Sequence, residues 1–283
     1  IVEDSIIKIK SENNIEKIIE KENLSSKNVN VAGIYDPSDN DLSIDMWVNS
    51  NGKKILEIIN KIQNKNLSND ASDILNITLL TNSYFPEKNI TIEEFLKTKS
   101  DWLIKQGNLD LIEIYLEKNK NLDNNSDLIK YYVDFYLSRA DVSKSCEIFE
   151  KLNIHLKDNY LTKFNIYCLI NLKKNEEAQL KFDLLKEDGF EENFFEDRFA
   201  YLIGYEETVD SEISEKSLLD FHLSHRTNSD FKFEPNTNTP KLIWKYLSAS
   251  NLLESVHFVD LEDKEKIFAI EEATHEKNYK EEE

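Results

Sequence analysis

Apolar residues recur along much of this chain at intervals of three and four, the spacing of one face of a helix. Ile55, Ile58, Ile59 and Ile62 form one stripe, and Ala71, Ile74, Leu75, Thr78 and Leu79 form the next. Thr91-Ile92-Glu93-Glu94 is a capping box, in which a hydroxyl and a carboxylate three residues apart satisfy backbone N–H groups at a helix start. It opens a helix carrying Phe95, Leu96 and Leu103, and Gly107 is placed to end it. Later segments read the same way. Phe194, Phe195, Phe199, Ala200 and Leu202 predict a buried helix, and Ser217–His225 a helix with Leu218, Leu219, Phe221 and Leu223 inward. Thr239 caps a helix with Pro240 at its first position, followed by Ile243, Trp244, Tyr246 and Leu247. A last helix carries Ile267, Phe268, Ile270 and Ala273.

Between these lie polar connections: an acidic loop at Glu206–Ser214 and a linker at Arg226–Asn238 with Pro235. Residues 1–30 are polar and charged, with a short helix expected around 13–21. Val29–Asp41 reads as an extended segment ending in an Asp-Pro-Ser turn, after which Ser43 caps a short helix with Met46 and Trp47. Asp36, Ser38 and Asn40 imitate the first ligands of a calcium loop. Asp41 stands where that loop needs Gly, however, and Trp47 where it needs Glu, so calcium is not expected.

With only 5 Gly and 4 Pro in 283 residues, the chain lacks the turns of an all-β protein. Neither GxGxxG nor GxxxxGK[ST] occurs, so no nucleotide cofactor is expected. The fold class is therefore all-α.

The centre is periodic. Ile112 and Leu116, one turn apart, are matched 33 residues on by Ser145 and Phe149, and again by Ala178 and Phe182. Asn119, Leu152 and Leu185 continue that column, and Leu103, Tyr136 and Leu169 repeat on the preceding helices. The polar turns Gln106-Gly107-Asn108, Arg139-Ala140-Asp141 and Lys173-Lys174-Asn175 separate the helices of each pair. Two helices and a tight turn per 33 residues resembles the tetratricopeptide family. Its small residue early in the second helix is matched by Ala178 and loosely by Ser145, and its aromatic by Phe149 and Phe182. Ile112 departs from the pattern, the first-helix signature is only partly kept and the closing Pro is missing. The resemblance covers about residues 91–189 and implies a right-handed α-solenoid of antiparallel helix pairs. It divides the chain into a polar segment (1–41), N-terminal helices (42–90), tetratricopeptide-like repeats (91–205) and a C-terminal helical region (206–283).

A net charge of −20 repels phosphates and anionic lipid headgroups, so nucleic acid is not an expected partner. No apolar run reaches the ~18 residues of a membrane span. Cys146 and Cys168 lie in apolar helical patterns, which predicts buried free thiols, while an oxidising compartment would allow a disulfide. His222 and His225, three apart near Asp220, have zinc-like spacing but no recognisable further ligands, so they are expected at the surface. His155, His257 and His275 are isolated. No GxSxG occurs and neither cysteine has a nucleophile's context, so the chain is not expected to be an enzyme. The triplets Asn76-Ile77-Thr78 and Asn89-Ile90-Thr91 fall on expected helices or caps and are not read as glycosylation sites.

One column suggests a binding face. Lys97, Lys130 and Lys163 are 33 residues apart, followed four residues later by Asp101, Asp134 and Tyr167. In tetratricopeptide-like stacks such positions line the concave groove, which would give a peptide's carboxylates a wall of ammonium groups. The blander alternative is ordinary i, i+4 pairing within each helix. Ala32-Gly33-Ile34-Tyr35-Asp36, with Asp45-Met46-Trp47 ahead of helical repeats, also resembles an uncharacterised family of bacterial envelope proteins. That resemblance implies export. The chain starts at Ile1 and ends in Glu281–Glu283 while still reading as helix, so both ends look cut; a removed signal peptide or an artificial truncation would each explain the start, and a cytoplasmic location is the alternative to export. Together these features predict a non-enzymatic scaffold that binds a protein or peptide on its concave face. The alternatives are a structural subunit of a larger assembly or a helical enzyme.

Overall fold

A computed structural model describes residues 31–120, 122, 125–152, 156–253 and 262–275. The helix expected around 13–21, together with His155, His257 and Glu281–Glu283, lies outside the described residues. Among the described residues the chain is all-α, with twelve helices and a single two-stranded pairing. None of these helices is long and apolar enough to cross a membrane. The chain divides into two compact units, Ile1–Asn125 and Ser126–Glu283.

The first unit contains strands β1 (Val31–Ala32) and β2 (Ser83–Tyr84), and helices α1 (Gly52–Gln63), α2 (Asn69–Leu80), α3 (Ile92–Gln106) and α4 (Leu109–Lys118). The capping box at Thr91 forms in both directions, and Gly107 ends α3 in the left-handed conformation. Asn108 caps α4 by accepting from Leu111 N–H. The Asp36 carboxylate accepts from Ser38 N–H and starts a single 3-10 turn, Pro37–Asn40.

Two expectations need correction here. Ser43 does not cap a helix. Met46, Val48 and Ser50 each bond back three residues, so the segment is a run of turns. The apolar stripes are also only half used. Ile55 and Ile59 are buried, whereas Ile58 is 57% and Ile74 67% exposed. Neighbours cover a narrower arc of α1 and α2 than the apolar residues span.

Polar side chains fix the segment around β1. Asn119 clamps Gly33 from both sides, accepting from its N–H at 3.1 Å and donating to its C=O at 3.0 Å. The Lys99 ammonium donates to Ala32 O at 2.6 Å, and Lys118 donates to Ile34 O at 2.8 Å. Lys99 is fully buried, and that burial pushes its amine down to about 7.

The second unit begins with α5 (Ser126–Leu137) packed on α6 (Val142–Leu152), then α7 (Asn159–Asn171) packed on α8 (Asn175–Glu187). After these come α9 (Asn193–Ile203), α10 (Leu218–Thr227), α11 (Lys241–Ala249) and α12 (Lys264–His275). The backbone shares the period found in the side chains. Gly107, Ala140 and Lys173, 33 residues apart, all have positive φ, at 62°, 57° and 61°. Asp141 N–H reaches back to Tyr136 O and Lys174 N–H to Leu169 O, closing the two later turns alike. The column residues Ile112, Leu116, Ser145, Phe149, Ala178 and Phe182 are all buried.

A Cβ in the left-handed region costs about 1–2 kcal/mol, part of which glycine's extra unfolded-state freedom cancels. Ala140→Gly and Lys173→Gly are therefore each expected to stabilise the chain by about 0.5–1 kcal/mol in urea denaturation. A loss of stability in both would contradict the shared turn geometry.

The C-terminal helices close over the first pair. α10 packs on α5 and α9, and α11 packs on α5 and α10. Leu218, Leu219, Asp220, Phe221, His222, Leu223, Ser224 and Thr227 of α10 are all buried. The expected polar linker also adds to the core, since Phe231 and Phe233 pack edge-on against Phe221. Arg198, buried on α9, reaches into the acidic loop to Asp210 and the Glu212 carbonyl, both at 2.9 Å. Thr239 does not cap α11; its hydroxyl accepts from Asn236 N–H instead.

Candidate functional site

The three column lysines have different surroundings. Lys97 pairs with Asp101 at 3.3 Å on the exposed surface of α3, as the simple i, i+4 alternative anticipates. Lys130 lies over the ring of Tyr160, 4.7 Å from its centroid. Lys163 is buried, and its ammonium pairs with Glu192 at 2.6 Å and Asp220 at 3.1 Å. Asp134 is also buried, accepts the Tyr160 hydroxyl proton and is raised to about 6 by burial, against the opposing pull of Tyr160 and Lys130. Tyr167 is buried and its hydroxyl lies 2.7 Å from His222 Nε2. The face of α7 that carries Lys163 and Tyr167 is thus occupied by α10 of the same chain.

His222 is not a surface residue. Its Nδ1 lies 2.8 Å from Tyr246 Oη, and His225 Nδ1 lies 2.7 Å from the same hydroxyl. Tyr246 has one proton for two imidazole nitrogens, so one of the rings must donate to it. Burial first, then the charges of Arg226 and His225, push His222 down to about 3. The neutral ring is therefore the form that fits this Tyr–His–Tyr chain. Among the described residues no three His, Cys, Asp or Glu side chains are grouped to hold a metal.

Cys146 and Cys168 are not free thiols; they form a disulfide joining α6 to α7, with 5.5 Å between their Cα atoms. Each sits on one of two consecutive packed helices, which brings residues 22 apart face to face. Closing a loop of that length removes about 3 kcal/mol of unfolded-chain entropy. Reduction, or Cys146→Ser with Cys168→Ser, is expected to lower unfolding stability by about that amount in urea titrations. Coincident curves with and without reductant would contradict it.

The disulfide edges an open trough on the other side of α7. Two adjoining clefts make it up. Cys146, Phe149 and Glu150 of α6 line one, together with Cys168, Leu172 and Lys174. Lys157, Asn159 and Thr162 line the other, with Leu184 and Asp188 of the α8 side. Asn165 and Lys181 line both.

Compared with known proteins, the chain matches no family model, no curated protein and no solved structure.

The trough's own residues therefore carry the reading. Asn165 and Lys181 are half-buried, and neither side chain has a hydrogen-bond or ion-pair partner among the described residues. Leu172 is 44% and Leu184 50% exposed, one in each cleft. Lys174 is already paired, with Glu150 at 3.6 Å. A half-buried cation and amide without partners, between two exposed leucines, can take a ligand offering a carboxylate, hydrogen-bonding groups and apolar side chains. The periodic columns did not flag these positions. The available signal was that Leu172, Leu180 and Leu184 are apolar yet lie outside the buried columns.

Proposed function

We propose that this protein is a non-enzymatic scaffold that binds a protein or peptide partner through an α-solenoid-like array of helix pairs. The observation that carries this reading is the trough beside α7, where Asn165 and Lys181 lack partners among the described residues and lie between the exposed Leu172 and Leu184. Lys130, Asp134, Lys163 and Tyr167 are engaged with the chain's own side chains, so the partner surface shifts from that face to the trough. Lys97 and Asp101 pair with each other on the exposed surface of the first unit. The recurring left-handed turns at Gly107, Ala140 and Lys173 support a repeat origin. The disulfide supports export to an oxidising compartment.

Site-specific photo-crosslinking in the cells that make the chain tests this. A benzophenone side chain at position 172 or 184 is expected to give a discrete protein adduct, and one at exposed Lys65 is expected to give none. Trough positions that crosslink no better than position 65 would overturn the reading.

A further inference from the structure

The geometry points to the class of ligand the trough takes: an extended peptide segment with one acidic residue between apolar ones. The inference rests on the scaffold reading above and deepens it. The first unit already holds an extended backbone with these groups, in a stretch that is apolar throughout. There the stretch 31–35 pairs with β2 and with the end of α2, and three side chains take the backbone groups that this pairing leaves: Asn119 takes both polar groups of Gly33, Lys99 takes Ala32 O and Lys118 takes Ile34 O. The trough in the second unit presents the same two kinds of group, an Asn amide and a Lys ammonium, without a partner for either among the described residues.

The ligand is extended because Asn165 offers a donor and an acceptor together. A helix has already paired its own N–H and C=O groups, whereas an extended chain presents both to a neighbour. Length gives a second constraint. Along α8 the trough runs from Lys174 to Asp188, fourteen residues, or about 21 Å at ~1.5 Å per residue. At ~3.3 Å per residue that accommodates about six residues of extended chain.

Charge sets the third constraint. Lys181 lies at the centre and has no ion-pair partner among the described residues, so a carboxylate belongs there. Glu177 lies one turn before it on α8 and Asp188 two turns after, both lining the trough. Those two carboxylates repel further acidic residues on either side, so a single acid is favoured over an acidic tract. Leu172 in one cleft and Leu184 in the other then favour apolar side chains flanking it.

The test is to pan a phage-displayed library of random dodecapeptides on the full chain with its disulfide formed. Synthetic versions of the enriched sequences are then measured by fluorescence anisotropy. Enriched sequences are expected to carry one Asp or Glu with apolar residues on both sides. Their affinity is expected to fall tenfold or more with Lys181→Glu and with Asn165→Ala, and to stay within twofold with Lys97→Glu. Thermal melts of the three variants confirm that each is folded. Failure to enrich any peptide, basic winners, or winners that bind both trough variants within twofold of the unaltered chain would overturn the inference. Crosslinking from positions 172 and 184 separates this from the broader reading: a cellular adduct without a trough-dependent peptide leaves the scaffold standing and removes only the ligand class.

Discussion

Between pH 6 and pH 4, replacing His222 or Asp134 is expected to tilt the stability of the second unit in opposite directions. The His222 ring is held near 3 in the folded chain, below the ordinary 6.5. As the pH falls through 6.5 the unfolded chain takes up that proton and the folded chain does not. The stability His222 contributes above 6.5 is therefore lost at about 1.4 kcal/mol per pH unit until about pH 3. Asp134 works the other way. Its carboxyl is held near 6 instead of 3.8, so between those values the folded chain binds the proton and the unfolded chain does not. Stability rises as the pH drops through that window, at the same rate. In the unaltered chain these two contributions nearly cancel between pH 6 and 4. His222→Gln leaves the Asp134 gain alone and is expected to add about 3 kcal/mol on acidification relative to the unaltered chain. Asp134→Asn keeps an acceptor for Tyr160, leaves the His222 loss alone and is expected to subtract about 3 kcal/mol over the same range. Urea denaturation of the three proteins at pH 7, 5.5 and 4 reads this directly. Because the comparison is between proteins at each pH, the other carboxylates drop out. Three parallel profiles would show that neither group is held as its burial implies.

The same two residues mark where the sequence was legible and where it was not. Helix starts and stops were readable because their chemistry is local: the Thr91 box, the Asn108 cap and the Gly107 stop each involve neighbours within a turn. The 33-residue period was readable because it repeats small and large residues at fixed spacing, and the backbone turns at Ala140 and Lys173 follow it. What surrounds each repeated position was not readable. Lys97, Lys130 and Lys163 hold the same place in the period, yet one pairs along its helix, one lies over a ring and one is buried. The difference comes from Glu192 and Asp220, 29 and 57 residues beyond Lys163, and no period predicts such distant partners. The burial of His222 does have a local signal. At ~100° per residue, His222 projects between Leu218 and Leu219, on the apolar side of α10. Its spacing from His225 suggested metal chemistry, while its position on the wheel indicated burial. The disulfide had no such signal, because spacing alone does not say whether Cys146 and Cys168 face each other. The trough is a space between elements, and a one-dimensional pattern of apolar positions does not encode it.

Gly33→Ala is expected to be the most damaging conservative change in the first unit, costing about 4 kcal/mol or more. A Cβ at Gly33 would stand 2.5 Å from Asn82 N, 2.5 Å from Thr81 C and 2.6 Å from Leu80 O. All three are backbone atoms, so no rotamer change relieves the overlap. The segment must move off the end of α2. In doing so it breaks the bond from Ile34 N–H to Leu80 O and both bonds between Gly33 and Asn119. A made bond contributes about 0.5–1.5 kcal/mol, and each buried group left without a partner costs about 1–3 kcal/mol. Asn119→Ala removes the clamp without the steric conflict and is expected to cost about 2–3 kcal/mol, chiefly from the unpaired Gly33 groups. Because both changes act on one contact, the double variant should fall short of their sum by about 1–2 kcal/mol. Urea denaturation of the two single variants and the double variant measures that shortfall. Strict additivity would mean that Gly33→Ala does not act through the Asn119 clamp. The shortfall also bears on the second unit. It is the strength of an asparagine amide gripping an extended backbone against these helices, and so sets the scale for what Asn165 can contribute to a peptide in the trough.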